Sequence, residues 1–209
     1  MLLKKMVYNN AMIKVAVTGN IASGKSCVEE YIKQSGYKII DADKINHEIL
    51  SYDENIIREI KNLFTGYDIL SNEGNLSREK IGKIVFSDKE KMKQLENILY
   101  KEISKRINRF FEENKSESIV FVSAAMLFES GFYKDYDKII FVSASSDIRK
   151  KRLIERNNYT EEYAQKRISA QECEEEKIKK SDFVIENNTD LCELKNKTLE
   201  VLRNLTNLL

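Results

Sequence analysis

One segment of the sequence constrains the fold more than any other: residues 19–26 read G-N-I-A-S-G-K-S. They fit the pattern G-x-x-x-x-G-K-[ST] of the phosphate-binding P-loop. In such a loop, backbone N–H groups and the amino end of the following helix surround the phosphates of a nucleotide. Glycine is needed at Gly19 and Gly24 because the loop bends tightly and approaches its ligand closely. The pattern predicts that Lys25 reaches the β- and γ-phosphates and that the Ser26 hydroxyl holds Mg²⁺.

The residues on either side of this P-loop provide the context that the motif requires. Before it, the apolar run Met12–Val17 predicts a buried strand. After it, Cys27–Lys33 predicts a helix with one apolar side. A strand, a loop and a helix in this order weigh against a chance match in a surface loop.

Five short segments are almost continuously apolar, which is typical of parallel strands that are covered on both faces. Helical patterns separate them, so we predict an α/β fold with a doubly wound parallel sheet. With the P-loop, this corresponds to a P-loop NTPase-type three-layer α/β/α architecture with a five-stranded parallel sheet. The predicted strands are Met12–Val17, Tyr37–Ile40, Ile119–Val122, Lys138–Val142 and Phe183–Ile185.

Two longer segments interrupt this pattern within what we predict to be a single domain, residues 1–209. Residues 44–115 are mostly helical in pattern, and Leu95, Leu99, Ile103, Ile107 and Phe111 recur at every fourth position. An insertion of this length suggests a helical subdomain that covers the acceptor substrate. Residues 147–180 are charged and helical, and we predict that they form a lid. The core is then about 12–43, 116–146 and 181–209.

The composition excludes several classes of protein. The 35 Lys and Arg residues balance 34 Asp and Glu residues, so no global charge favours nucleic acid or a membrane surface. No apolar run has the length of a membrane span, and the apolar part of Met1–Met6 is too short for a signal peptide. Cys27, Cys173 and Cys192 lack metal-type spacing, which favours reduced thiols and a cytoplasmic location.

Two carboxylates follow the second predicted strand, in the segment Asp41-Ala42-Asp43. Ligands of open α/β sheets bind outside the carboxyl ends of the strands. Phosphoryl transfer needs a carboxylate that accepts the proton of the attacking hydroxyl, so Asp43 is the candidate base. The alternative is that these residues cap the next helix. The sequence leaves both interpretations open for Asp43, and it favours capping or a place near the metal for Asp41.

A group of arginines lies in the predicted lid. Arg152 and Arg156 share a helix face, Arg149 precedes them by one turn, and Arg167 and Gln171 form a second pair four residues apart. Guanidinium groups suit bidentate contacts with a phosphate and would stabilise the charge that develops during transfer. For any single arginine, a solvated helix with Glu–Arg pairs is the alternative. For the group as a whole, the sequence favours a lid.

With these residues in view, the chain resembles the dephospho-coenzyme A kinase family from about Lys14 to Leu194. The family's P-loop opening, T-G-G-I-G-S-G-K-S-T, stands here as T-G-N-I-A-S-G-K-S-C at residues 18–27, and its D-A-D stands at 41–43. Further family segments follow in order: E-G-N-L-S-R at 73–78, L-E-N-I at 95–98, L-F-E at 127–129, R-L-x-x-R at 152–156, T-x-E at 160–162, R-I-x-x-Q at 167–171 and S-D-F-V-I-E-N at 181–187.

This resemblance implies an ATP-dependent kinase that phosphorylates the ribose 3′-hydroxyl of dephospho-CoA, with ATP and Mg²⁺ as cofactors and no nucleic acid or membrane partner. It implies catalytic roles for Asp43, Lys25, Arg152 and Arg156, and Mg²⁺ binding by Ser26. The implied ATP-binding residues are Gly19, Asn20, Ile21, Ala22, Ser23, Gly24, Lys25, Ser26, Cys27 and Asn187. The implied acceptor-binding residues are Asp41, Asp43, Arg78, Tyr100, Glu129, Arg167 and Gln171. We expect a monomer or a weak homo-oligomer.

The chain also departs from the family pattern. Tyr100-Lys101 replaces a His-Pro, Ala125 replaces a proline, Asn20 and Ala22 replace two P-loop glycines, and Arg149 replaces a glutamine. Two alternatives therefore stay open: a kinase of another small hydroxyl compound or nucleotide, and a non-catalytic module that senses ATP. A GTPase is disfavoured because no N-K-x-D motif precedes the last predicted strand.

Overall fold

Five strands form one parallel sheet in the computed structural model, which describes residues 12–171 and 173–209. The prediction for Met1–Met6 lies outside the described residues. The strands are β1 (Ile13–Gly19), β2 (Lys38–Asp41), β3 (Ile119–Ser123), β4 (Lys138–Ser143) and β5 (Phe183–Glu186). Their spatial order is β2-β3-β1-β4-β5. The predicted α/β class and five-stranded parallel sheet are confirmed, and each strand lies within two residues of its predicted limits.

The central position of β1 explains why both of its faces are apolar. It pairs with β3 on one side and with β4 on the other. Val15 and Val17 point into one core cluster, whereas Ala16 between them points into another. This alternation follows from the two-residue period of a strand. The strand order reverses at β1, and open α/β sheets bind their ligands at the carboxyl ends of the strands at such a point.

The helices within the described ranges are α1 (Lys25–Gln34), α2 (Ala42–Tyr52), α3 (Glu54–Leu63), α4 (Arg78–Ser87), α5 (Lys89–Glu113), α6 (Ser146–Asn157), α7 (Glu161–Ser169), α8 (Glu174–Lys179) and α9 (Leu191–Thr206). Helices α1 and α9 cover one face of the sheet: Val28 and Ile32 of α1 pack with Leu202 and Leu205 of α9. Segment 124–136 and Ile178 of α8 cover part of the other face. Helix α9 buries Leu194, Val201, Leu202 and Leu205, whereas Leu208 lies beyond its end and is exposed.

The chain divides into two compact units. The sheet unit contains the described residues up to Ile40 together with Asn114–Leu209, and the helical unit is Asp41–Glu113. The helical unit has its own apolar core around Ile60, Phe64, Ile69 and Ile81, against which Leu95 and Leu99 of α5 are packed. Its limits overlap those of the predicted insertion at 44–115. The acceptor-binding role of that insertion stays a prediction.

No helix within the described ranges is long and apolar enough to cross a membrane. The thiols of Cys27, Cys173 and Cys192 are all free.

Asp182 joins the amino ends of two strands. Its Oδ2 accepts a hydrogen bond from the Ile139 amide over 2.8 Å, and its Oδ1 pairs with Lys138 Nζ over 2.9 Å. We predict that Asp182→Ala lowers the free energy of unfolding by about 1–3 kcal/mol, because the Ile139 amide loses its acceptor. Asp182→Asn keeps a carbonyl acceptor and should cost less. Urea denaturation followed by circular dichroism measures both values, and equal losses would contradict this account.

Candidate active site

The P-loop joins the end of β1 to the start of α1 at the carboxyl edge of the sheet. Gly24 is the N-cap of α1 with φ of 97°. A Cβ atom on Gly24 would lie 2.0 Å from Nδ2 of Asn187, and one on Gly19 would lie 2.5 Å from the Val142 carbonyl oxygen. The predicted need for glycine at both positions is confirmed. Ala22 has φ of 60°, so a residue with a side chain occupies the left-handed region here, at a cost of about 1 kcal/mol.

Lys25 lies at the amino end of α1, and its ammonium group contacts the side chains of Ser123 and Glu29. Its Nζ donates to Ser123 Oγ over 2.5 Å and lies 3.1 Å from Glu29 Oε1. Ser123 Oγ in turn donates to Glu29 Oε1 over 2.6 Å. The three side chains therefore form a closed triangle that is largely buried. The sequence predictions missed Glu29 and Ser123, although the i, i+4 spacing of Lys25 and Glu29 on one helix was an available signal.

Arg152 and Asn187 support the P-loop from its carbonyl side. Arg152 Nη1 donates to the carbonyl oxygens of Ala22 and Ser23 over 3.3 and 3.2 Å. Its Nη2 donates to the carbonyl oxygen and Oδ1 of Asn187 over 3.2 and 3.1 Å. Asn187 Nδ2 donates to the Ser23 carbonyl over 2.7 Å. Both Nη atoms of Arg152 thus have acceptors within the protein, and its predicted role at the transferring phosphate stays a prediction.

A second network of polar side chains connects the P-loop to α8. Asn20 Nδ2 donates to Glu174 Oε2 over 2.8 Å, and Lys177 Nζ lies 3.4 Å from Asn20 Oδ1. Lys177 also pairs with Glu129, and Arg149 pairs with Glu174 over 3.3 Å. Lys177 and Arg149 are both buried. The replacement of a P-loop glycine by Asn20 thus provides the side chain that contacts α8.

Gln171, just beyond α7, contacts the P-loop backbone. Its Oε1 accepts a hydrogen bond from the Ile21 amide over 2.9 Å and a longer one from Arg149 Nη1 over 3.4 Å. Lys150 of α6 donates to Glu161 of α7 over 2.9 Å, and this hydrogen bond raises the pKa of Lys150. Helices α6, α7 and α8, which make up most of the predicted lid, are thus joined to the P-loop and to one another by polar contacts.

A cavity of about 890 Å³ opens above the P-loop within the sheet unit. Its volume lies in the usual range for small-molecule sites. Residues 19–27 form one wall, and the lining also includes Glu129, Arg156, Arg167 and Asn187. Arg156 is exposed and its Nε donates to Asn157 over 2.9 Å. The guanidinium of Arg167 has no hydrogen-bond or ion-pair partner in the part of the chain that the structure describes.

The remaining predicted residues belong to the helical unit. Asp41 is the N-cap of α2: its Oδ1 accepts from the amides of Asp43 and Lys44 over 2.9 and 3.2 Å. The capping role predicted for Asp41 is confirmed. Asp43 follows in the first turn of α2 with an exposed side chain, whereas the N-cap of α2 is Asp41, and the role of Asp43 as base stays a prediction.

Arg78 and Tyr100 lie on α4 and α5 of the same unit. Arg78 donates from Nη2 to His47 Nδ1 over 2.6 Å, an interaction that the sequence did not indicate. His47, the only histidine of the sequence, is exposed on α2. Tyr100 is half-buried on α5. The acceptor-binding roles of Arg78 and Tyr100 stay predictions.

The donor atoms around the P-loop are chemically suited to Mg²⁺. Ser26 exposes a hydroxyl group at the start of α1, and the other nearby donors are the oxygen atoms of Glu29 and Ser123. Mg²⁺ prefers oxygen ligands and keeps several water molecules beside one or two carboxylates and the phosphates of a nucleotide. Within the described ranges, no group of three or more His, Cys, Asp or Glu residues could hold a metal by itself. This donor set therefore fits a metal that arrives with a nucleotide.

Comparisons with known proteins agree with this geometry. The family model for dephospho-CoA kinase matches residues 13–193. A curated dephospho-CoA kinase from Fusobacterium nucleatum is 41% identical over 182 residues, which cover 86% of this chain and 92% of that protein. A crystal structure of a protein from Thermus thermophilus has a TM-score of 0.81 and 31% identity, and it covers 93% of this chain and 98% of that one. The structure of dephospho-CoA kinase from Campylobacter jejuni has a TM-score of 0.66 and 31% identity, with 92% and 96% covered.

Gly24 offers a test of the loop geometry. We predict that Gly24→Ala weakens nucleotide binding at least about tenfold, because the new Cβ would displace the Asn187 amide that holds the Ser23 carbonyl, a change worth more than about 1.4 kcal/mol. Gly36→Ala is the matched control: Gly36 also has positive φ, at 89°, but nothing lies within 4 Å of its Cβ position. It should cost about 1 kcal/mol of stability and leave nucleotide affinity unchanged. Calorimetric titration with ATP measures the affinities, and equal losses of affinity in both variants would contradict the prediction.

Proposed function

Because the chain belongs to the dephospho-CoA kinase family, we propose that it transfers the γ-phosphoryl group of ATP to the ribose 3′-hydroxyl of dephospho-CoA. The products are coenzyme A and ADP, and the family performs the last step of coenzyme A biosynthesis. The observation that carries the proposal is the P-loop with Lys25 at the edge of a cavity of about 890 Å³, in a chain matched by the family model over residues 13–193.

ATP occupies this cavity with its phosphates against the P-loop. The conformation of Gly24 and the carbonyl contacts of Arg152 and Asn187 support this assignment, because they hold the loop at the amino end of α1, where helices bind anions. Lys25 contributes its charge to the β- and γ-phosphates. Ser26 would hold Mg²⁺, which when bound neutralises negative charge between the β- and γ-phosphate oxygens.

Asp43 serves as the general base. As the 3′-oxygen of the ribose bonds to the γ-phosphorus, the bond from that phosphorus to the bridging oxygen of ADP breaks, and the hydroxyl proton passes to the Asp43 carboxylate. Two observations support this role. Asp43 is exposed in the first turn of α2, and Asp41 already satisfies the amides that a cap must satisfy.

Arg156 and Arg167 are the arginines best placed to bind phosphate oxygens of a ligand in the cavity. Both line it and both are exposed. Planar guanidinium groups make bidentate contacts with phosphate and stabilise the charge that spreads over the transferring phosphoryl group. Arg152 holds the conformation of the P-loop through its hydrogen bonds to the carbonyl groups of Ala22 and Ser23. We propose that it also contacts the phosphates of bound ATP.

Dephospho-CoA is the proposed partner, and the protein acts as a monomer or a weak homo-oligomer in the cytoplasm. The three free thiols support a reducing compartment. The assignment of the acceptor to the helical unit rests on family segments that this unit carries, such as E-G-N-L-S-R at 73–78, which ends at Arg78. Tyr100 is assigned by its position alone, since it replaces the histidine of the family.

The decisive experiment measures ADP release with Mg-ATP in the presence and absence of dephospho-CoA, with mass detection of the product. We expect ADP only when dephospho-CoA is present, and a product heavier by one phosphate. Turnover with another hydroxyl compound but not with dephospho-CoA would assign a different acceptor. ATP binding without turnover on any acceptor would favour a sensing module instead of an enzyme.

Asp43→Asn tests the general base. We expect kcat to fall about 10²- to 10⁴-fold, the usual contribution of a general base, with ATP affinity unchanged because the P-loop is intact. Glu79→Gln is the control, since Glu79 is also an exposed carboxylate in the first turn of a helix of the same unit. Coupled kinetics and calorimetric titration give the two quantities. An Asp43→Asn variant with normal kcat would remove Asp43 from the mechanism.

A further inference from the structure

Glu29 is a buried carboxylate at the core of the P-loop region that the proposed mechanism does not use. Only 6% of its surface is exposed. It lies one turn after Lys25 on α1. Its Oε1 forms an ion pair with Lys25 Nζ over 3.1 Å and accepts a hydrogen bond from Ser123 Oγ over 2.6 Å. A buried carboxylate is costly unless positive charge and hydrogen bonds compensate for its desolvation. In the structure, Lys25 and Ser123 supply this compensation.

The location of this carboxylate matters for metal binding. P-loop NTPases hold Mg²⁺ with the hydroxyl group of the P-loop and with an aspartate, the Walker-B residue. In this chain β3, which lies next to β1, reads I-V-F-V-S and ends at Ser123 without an acidic residue. The carboxylate in contact with the end of β3 comes instead from Glu29 of α1.

We propose that Glu29 supplies from α1 the carboxylate that completes the Mg²⁺ site of bound Mg-ATP, by accepting hydrogen bonds from water on the metal. Glu29 is three residues after Ser26, so both side chains lie on neighbouring positions of one helix face. Ser123 fixes the orientation of the carboxylate through its 2.6 Å hydrogen bond. This inference rests on the proposed function only in requiring that the chain binds Mg-ATP.

Charge balance supports this assignment. When Lys25 contacts the phosphates of ATP, its positive charge is shared between Glu29 and those phosphates. A buried carboxylate in that state needs a second source of positive charge, and Mg²⁺ near Ser26 provides it. In the absence of nucleotide, Lys25 is paired with Glu29, as the observed triangle shows. The same carboxylate is thus compensated in both states.

The test compares ATP binding with and without Mg²⁺ by calorimetric titration, in the absence of any acceptor. For the Glu29→Gln variant, we expect the factor by which Mg²⁺ strengthens ATP binding to fall about 10- to 100-fold, the usual effect of removing an outer-shell partner of a metal. ATP without Mg²⁺ should bind at least as tightly as before, since a negative charge has been removed near the phosphates. Glu30→Gln is the control, because the neighbouring Glu30 is exposed and accepts a hydrogen bond from Gln34 on the surface of the same helix.

A second variant separates metal binding from a purely structural role. Glu29→Ala with Ser123→Asp moves the carboxylate from α1 to the end of β3, and we expect it to restore most of the Mg²⁺ effect that Glu29→Ala alone removes. An unchanged Mg²⁺ factor in Glu29→Gln, or a double variant no better than Glu29→Ala, would overturn the inference. If the unsubstituted protein fails to bind ATP at all, the proposed function fails and this inference with it. Mg-ATP binding without turnover of dephospho-CoA affects only the proposed function.

Discussion

The site depends on one constraint: a loop that directs its N–H groups toward an anion must turn its carbonyl groups away from it, and buried carbonyls need donors. Here the donors are Arg152 and Asn187, which together hold the carbonyl groups of Ala22 and Ser23. Asn187 follows β5 and Arg152 lies on α6, so the sheet unit must be assembled before the loop is complete. The proximity of Asn187 to Gly24 is a direct consequence, because the amide reaches into the space that a side chain on Gly24 would occupy.

Three buried or half-buried cations around the P-loop are each paired with a carboxylate, whereas Arg152 contacts carbonyl and amide oxygens. Lys25 is paired with Glu29, Lys177 with Glu129, and Arg149 with Glu174. Burial of these cations is tolerated because each has a carboxylate beside it. Lys25, Lys177 and Arg149 therefore have a carboxylate partner before any triphosphate enters the cavity. Arg167 is different, since it is exposed and has no partner within the described ranges. It can contribute attraction to an anion without first giving up an internal contact.

The fold could be predicted from the sequence because its signals are local. Continuous apolar runs such as Ile119–Val122 mark strands that are buried on both faces, and the P-loop pattern fixes what joins the first strand to the first helix. The capping role of Asp41 is equally local, since its acceptor atom serves amides two and three residues away. The partners of the site residues could not be predicted in this way. Ser123 is 94 residues from Glu29 in sequence, and its hydroxyl group is directed at that carboxylate only by the pairing of β3 with β1.

One departure from the P-loop consensus, Asn20, adds contacts with residues that are distant in the sequence. A glycine at position 20 would offer no side chain, whereas Asn20 joins Glu174 and Lys177 through its amide group. Gln171 adds a contact to the Ile21 amide. Because these hydrogen bonds join the P-loop to Gln171 and to α8, a substitution on either side of them should destabilise the other side as well. The substitution that makes the motif less typical therefore connects it more firmly to the rest of the sheet unit.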